Sequence, residues 1–445
     1  MGEAADLGVL EALRHLTRRS LSAAQLTDAC LARIRERDGD HSHDGDPASI
    51  NAWVRVYEED ARAAAAAADD RLTRGDAPPL CGIPIGLKDL YAVAGKPLTA
   101  SSRILDDVPD RDCDAWASLS AAGMVLLGHL HTHEFACGGT TDQVGNPWAL
   151  ERSAGGSSGG SGAALASRQV PAATGTDTAG SLRIPSAECG TSTVKPTRGL
   201  LSLRGIVPLA PSFDHPGPMA RTVVDCEPLL AALAGVEPPR ERRPLRQYAV
   251  SPRIGDLDAD VADGLERALA ALPGERVELP PPAARLDVLD EFFDLVLTEM
   301  LAYHRQFDDR RDGYRYSNRA RLEHAEQRAM TAEEYVAGQA GRAEDTYAWC
   351  DWLAEHRIDA VVEPTIPIVA PVRGRGYEEP FGDVDDLSLT HYWDWTGFPV
   401  VALPSGVGTR SGLPTSVSLI GAPGADWDVL AWGAALQAEL GTVAP

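Results

Sequence analysis

Lysine is nearly missing from this chain. Of 41 basic residues only three are lysines, Lys88, Lys96 and Lys195, so arginine serves almost wherever a surface cation is needed. Arginine cannot give up its proton in a protein, whereas a buried lysine can, so a lysine kept here can mark a place where that difference counts. Lys88 sits in CGIPIGLKDLYAV with apolar residues on both sides. That setting fits a base in an apolar site and equally a strand-end lysine whose ammonium reaches solvent. Long apolar runs are absent too, and none approaches the length of a membrane span. The first residues, MGEAADLGVLEALRHLTRRS, put acids before bases and have no apolar stretch, so neither a signal peptide nor an anchor is read there. The seven cysteines (Cys30, Cys81, Cys113, Cys137, Cys189, Cys226, Cys350) are odd in number and never in C-x-x-C spacing. That pattern speaks against a disulfide framework and a zinc site, and a cytoplasmic protein with buried thiols is expected. Net positive charge is lacking as well: the formal charge of -24 argues against nucleic acid and anionic membranes as partners and leaves the fold open.

What remains is ordinary globular material, 44% hydrophobic and 24% charged, in 445 residues that can easily bury a large core. Apolar spacing predicts two helices over 7–37 with a break near Ser20, and a helix over 60–74. Strands are expected in INAWVRVY, in IPIGLKDLYAV, over 123–135, in QVPAATGTD, and over 359–371, 397–406 and 415–421. Further helices are expected over 115–122, 223–234 and 426–440, and residues 286–354 read as a helical insertion or cap. Residues 237–252, rich in proline and arginine, read as a surface connection. Strands alternating with helices imply an α/β protein with a largely buried sheet. His41 and His43 lie in a polar loop and read as a solvated tip. His129, His131 and His133 alternate, which would put them on one face of a strand. With no acid or cysteine at a telling spacing they read as structural histidines rather than metal ligands, and no metal or cofactor is expected.

The densest feature is the stretch 152–186, where two glycine-framed serine clusters, GGSSGG and GTDTAGS, follow one another. Glycine lets the backbone take positive φ and approach a ligand, so a serine among glycines stands beside amide donors. That is the setting acyl transfer needs, provided a base can take the serine proton. No histidine accompanies Glu151 or Asp177. GxSxG occurs only formally at Ser157, and the S-x-x-K of Ser192 to Lys195 lacks the motifs that accompany it in penicillin-binding proteins.

In order along the chain run GIPIGLKD, THEFACGGTTDQVGNPW, GGSSGGSGAALA, GTDTAGSLRIPSAECG, VKPTRG, PLAPSFDHPGPMART, EPTIPIVAP and TGFPVVALPSG. With these eight segments the chain resembles the amidase signature family. The resemblance implies a single large domain over 1–445. A central mixed twisted sheet would be covered by helices on both faces, with 75–225 as the catalytic core and 286–354 as the cap. It implies a Ser-cisSer-Lys triad in which Ser181 is the nucleophile, Ser157 the relay in a cis peptide and Lys88 the neutral terminal base. The 24-residue step between Ser157 and Ser181 matches the family pattern and selects Ser157 over Ser158. The N–H groups of Thr178, Ala179, Gly180 and Ser181 would form the oxyanion hole, with Asp177 and Arg183 bracing the loop and Ser158 orienting Lys88 or the loop. The family often has glycine at Ala179, an apolar residue at Glu188 and asparagine at Asp394, so these positions bear on substrate rather than on the triad.

The implied activity is hydrolysis of a small carboxamide through a serine acyl-enzyme. Transfer of the acyl group to another nucleophile in a biosynthetic step is an alternative. So is the glutaminase component of a tRNA-dependent amidotransferase, although the RR-x-x-x-G-T-Y and S-A-G-Y-Y-D segments typical of such components are missing from 286–354. A scaffold that lost its chemistry would have lost Lys88 or Ser181, and both are present. The cap and the loop 374–395 are expected to wall the substrate pocket. Tyr377, Phe381, Tyr392, Trp393 and Trp395 would either hold an apolar acyl group or pack the cap on the core. A homodimer is a common arrangement for such enzymes.

Overall fold

The computed structural model describes residues 2–379 and 387–445. In chain order its strands are β1 (Trp53–Val56), β2 (Pro84–Lys88), β3 (Val125–Leu130), β4 (Gly145–Asn146), β5 (Ala149–Ser153), β6 (Ala172–Asp177) and β7 (Ser192–Lys195). They continue with β8 (His215–Ala220), β9 (Gln247–Val250), β10 (Glu275–Arg276), β11 (Ala360–Pro364), β12 (Val400–Val407) and β13 (Pro414–Ile420). Eleven of them form one sheet in the order β1-β3-β2-β6-β8-β7-β12-β13-β11-β9-β10, while β4 and β5 pair separately. The sheet is mixed. Strands β3, β2 and β6 run parallel, as do β11, β9 and β10, and the strands between these groups pair antiparallel.

Every residue of β2, β6, β7, β8, β11 and β13 is buried. Strands covered on both faces need no polar-out alternation, which is why these segments read as runs of small and apolar residues. Helices Gly159–Ala166 and Arg183–Cys189 pack together on one side, whereas Val223–Ala234, Ala259–Ala271 and Asp426–Leu440 form another group on the sheet. The first of these, GGSGAALA, is wholly buried, and its small residues let it lie close to β6. Three helices, Leu289–His304, Tyr316–Arg328 and Ala332–His356, make up the segment read as a cap. The first and third pack on the short helix His391–Thr396, and the second meets the core at Glu134 and Cys137. No helix among the described residues is long and apolar enough to cross a membrane. All seven cysteines are free, and six are buried.

Three expectations need correction. Residues 237–252 are not merely a surface connection, because QYAV within them is β9, with Tyr248 and Ala249 buried in the sheet. The strand expected over 123–135 stops at Leu130, and Phe135 and Ala136 take positive φ. The three alternating histidines therefore share no strand face: His129 is in β3, and His131 and His133 lie beyond it.

Candidate active site

Lys88 ends β2 and is completely buried. Its Nζ donates to Ser157 Oγ at 2.7 Å and to Thr176 Oγ1 at 2.8 Å. Burial lowers its pKa to about 7, against the pull of the Asp177 and Asp214 carboxylates. The lysine is thus neutral in a large fraction of molecules near neutral pH, which an exposed lysine is not. Thr176 has no signal in the sequence. It alternates with Thr174 on β6, whose Oγ1 accepts from the Lys88 N–H, so the pleat turns two hydroxyls toward the lysine.

The Gly156–Ser157 peptide is cis. Gly156 lies so close to Thr140 that a Cβ there would stand 2.2 Å from the Thr140 carbonyl oxygen, so only glycine fits. The Ser157 carbonyl accepts from the N–H of His133 at 2.9 Å and from Thr141 Oγ1 at 3.2 Å, which holds the hydroxyl toward Lys88. Ser158 makes no hydrogen bond to Lys88 among the described residues. Its N–H donates to the Ser181 carbonyl at 3.3 Å, and its hydroxyl meets the backbone of Thr176. It therefore ties the segment of Ser157 to the loop that carries Ser181.

That loop, 178–182, hangs on Asp177. The carboxylate accepts from the N–H groups of Gly180 and Leu182 at 2.6 and 3.2 Å, and from Arg183 Nε and Nη2 at 2.8 and 3.0 Å. Burial works to raise its pKa, but the Arg183 guanidinium holds it well below the usual carboxylate range. Arg183 also reaches Asp394 Oδ2 at 2.6 Å, so one buried guanidinium links two buried carboxyls. Burial and the Asp177 charge push the Asp394 carboxyl well above the usual range, and His215 Nδ1 lies 3.1 Å from its Oδ1.

The expected oxyanion hole needs one correction. The Gly180 N–H is already given to Asp177 and cannot also face an oxyanion. Among the described residues the N–H groups of Thr178, Ala179 and Ser181 have no acceptor and remain available. Gly180 takes φ +130°, and a Cβ there would stand 2.4 Å from Thr390 Oγ1. Ala179 takes no positive φ, so alanine costs the loop nothing.

Ser181 opens onto a cavity of about 40 Å³, lined by Ala179, Leu209, Phe292, Phe293, Val296, Leu297 and Leu387, with Ala136, Cys137, Gly138 and Arg321 completing it. Helix Leu289–His304 thus supplies four of the twelve lining residues, so the segment expected as a cap does reach the cavity. The aromatic loop supplies little. Tyr392, Trp393 and Trp395 are fully buried and bond to Trp349, Glu363 and Asp345, fastening cap to core. Tyr377 lies tilted against His133 with ring centres 4.6 Å apart, and Phe381 lies outside the described residues.

Other singled-out residues sit elsewhere. His129 bonds Tyr57 and the Tyr91 carbonyl, His131 meets Ser101 and Gln143, and His133 meets the Thr140 carbonyl. His43 contacts Asp44 and Arg315. Among the described residues no group of three or more histidine, cysteine or acidic side chains is arranged to hold a metal ion. Glu188 is buried in helix Arg183–Cys189, away from the lining of the Ser181 cavity. Lys195, the third lysine, is also fully buried with its pKa lowered by burial to about 7, and its Nζ donates to the Pro196 carbonyl at 3.2 Å.

Chemically, a neutral amine 2.7 Å from a hydroxyl can take its proton, and a hydroxyl so relieved can draw a proton from its neighbour. The amidase family profile matches residues 46–430, and the chain belongs to the amidase signature family, one of hydrolases and amidotransferases. It is 34% identical over 465 residues to the glutamyl-tRNA(Gln) amidotransferase A subunit of Roseiflexus castenholzii, covering 94% of this chain and 92% of that protein. Among solved structures, an amidase crystal structure is 31% identical with a TM-score of 0.85, covering 98% of this chain and all of that one. A second comes from a vestigial protein complex described as revealing the origins of an s-triazine catabolic enzyme. It is 29% identical with a TM-score of 0.87, covering 98% of this chain and 99% of that one.

Proposed function

We propose that this chain cleaves the carbon–nitrogen bond of a small carboxamide through an acyl-enzyme on Ser181. Ser181 Oγ attacks the amide carbon while its proton passes to Ser157 and the Ser157 proton passes to neutral Lys88. The oxyanion forms against the N–H groups of Thr178, Ala179 and Ser181. Collapse of the tetrahedral species breaks the C–N bond, and the leaving amine takes the proton back along the same path. Water then opens the ester and frees Ser181. Residues 75–225 serve as the catalytic core and 286–354 as a cap within one catalytic unit, which we read as cytoplasmic.

The observation that carries this reading is the buried 2.7 Å contact between Lys88 Nζ and Ser157 Oγ. It supplies a base that needs no histidine. The test is amine or ammonia release from a panel of amides by the wild type, Ser181→Ala and Lys88→Ala. Turnover should fall by about 10³-fold or more in each variant, with the thermal unfolding transition retained. A variant that keeps a tenth of the activity overturns the assigned role of that residue.

A second reading has its own support. A relative 34% identical over nearly the whole length carries the name of an amidotransferase A subunit. In that case glutamine is the amide, ammonia the product, and partner chains the destination. Including glutamine in the panel, and adding hydroxylamine to intercept the acyl-enzyme, separates hydrolysis of other amides, glutaminase action and transfer to a second nucleophile.

A further inference from the structure

A glutamine substrate would bring an ammonium and a carboxylate into the acyl site, and a buried charge needs a partner. The cavity at Ser181 offers little to such groups. Leu209, Phe292, Phe293, Val296, Leu297 and Leu387 dominate its wall, and no acidic residue among the described ones lines it. Arg321 is the one charged residue there, and it donates to the Cys137 carbonyl. The wall is also well supported behind. Phe292 packs edge-on against Phe213 with ring centres 5.1 Å apart, and Leu387 belongs to a buried apolar cluster with Ile184, Ala187 and Ile366.

Size narrows the choice. A cavity of about 40 Å³ is small; since one water needs roughly 10–15 Å³, its inner space takes a group of a few carbon atoms. Val296 and Leu297 stand on the cap helix and line the cavity, both nearly buried.

We infer that this enzyme selects amides of short, uncharged, apolar acyl groups, with Val296 and Leu297 setting the length accepted. The inference rests on Ser181 being the nucleophile and adds what the acyl group must be. It sets this chain apart from an enzyme that takes its amide from glutamine.

The experiment has two arms on the full chain. In the first, kcat/KM is measured for acetamide, propionamide, butyramide, hexanamide and glutamine. It should rise about fourfold per added methylene until the cavity fills, and then fall by about tenfold or more for hexanamide because overpacking is penalised. Glutamine should lie about 100-fold below butyramide, because its ammonium finds no acidic partner among the described lining residues. Val296→Ala and Leu297→Ala should shift the optimum to longer chains, while Val296→Leu, which fills rather than empties the site, should shift it to shorter ones. In the second arm Ser181 is labelled with alkyl fluorophosphonates of the same chain lengths, which reads the pocket even if none of these amides turns over. A labelling rate with the same length optimum supports the inference. Equal labelling at all lengths, an optimum that the variants do not move, or glutamine as the best substrate overturns it while leaving the nucleophile intact. No labelling of the wild type by any reagent overturns the nucleophile reading, and the inference with it.

Discussion

In the proposed mechanism the chemistry turns on Lys88, and its rarity is visible in the sequence. Rarity alone does not single it out, however, because Lys195 is equally buried and equally lowered by its surroundings. What separates the two is the partner: Lys88 meets Ser157 and Thr176, whereas Lys195 meets a backbone carbonyl. The sequence places Lys88 beside Ser157 only through the family resemblance, since the two stand 69 positions apart. It gives no sign of Thr176, whose role depends on the pleat of β6. A base of this kind works only when neutral. With the Lys88 pKa lowered to about 7, kcat/KM is expected to rise with pH through about 7 and then level. Lys88→Arg should be inactive at every pH, because a guanidinium keeps its proton. Steady-state rates of the two proteins from pH 5.5 to 9 check this. A flat profile for the wild type, or measurable turnover by Lys88→Arg at high pH, removes Lys88 from the role of base.

The short helix His391–Thr396 joins cap and core, and the tie is made largely by buried arginines. Arg342, on cap helix Ala332–His356, gives Nε to the Trp395 carbonyl at 3.2 Å, Nη1 to Ser212 Oγ and Gln339 Oε1, and Nη2 to the Ser212 and Asp394 carbonyls. Its guanidinium lies 3.6 Å from the centre of the Phe213 ring. From the same short helix Asp394 reaches Arg183 and hence the loop of Ser181. Such a junction leaves no local signal: Asp394 and Arg342 lie 52 residues apart, and HYWDW reads as an aromatic patch whatever it touches. The same limit explains β9, a four-residue strand hidden among prolines and arginines, and made a strand by its neighbours β11 and β10. The helices 223–234 and 426–440, by contrast, are legible because their apolar spacing is local. Arg342→Met keeps the aliphatic bulk and removes all five donors, so the Ser212 carbonyl loses its guanidinium partner while Arg198 still donates to the Trp395 and Asp394 carbonyls. A loss of about 2–4 kcal/mol of stability follows, to be read from the urea midpoint at constant slope. Because Asp394 shares that helix, kcat should also fall while KM stays near its wild-type value. An unchanged midpoint would mean that the cap is held by its aromatic contacts instead.

For the whole molecule, buried titratable groups set how stability moves with pH, and they pull in different directions. Histidines such as His131, His304 and His391, held by burial at about 3, stay neutral in the fold while the unfolded chain takes up protons below 6.5. They make stability rise with pH across that span. Glu134 and Asp214, raised by burial to about 7 and about 6, keep protons that the unfolded chain has released, and over the overlapping range they make it fall. Above pH 7 the opposition of Glu134 and Asp214 fades and the two buried lysines act together. They are neutral in the fold, whereas unfolded lysines hold their protons up to 10.5, so stability rises from about 7 upward. Cys30 and Cys113, raised by burial to about 12 and about 11, turn the curve down again above 9. Net charge works against the lysines, since a chain already at -24 gains further self-repulsion as pH rises. The magnitudes decide: each lysine contributes up to about 1.4 kcal/mol per pH unit, more than a diffuse, screened surface charge supplies over the same interval. Tm is therefore expected to rise between pH 7 and pH 9 in a protein this acidic. In the double variant Lys88→Met, Lys195→Met the rise should vanish, leaving only the downward drift of self-repulsion. Thermal unfolding at pH 7, 8 and 9 in 150 mM salt makes the comparison. Parallel curves for the two proteins would show that neither lysine changes its proton occupancy on folding, and the neutral base would go with it.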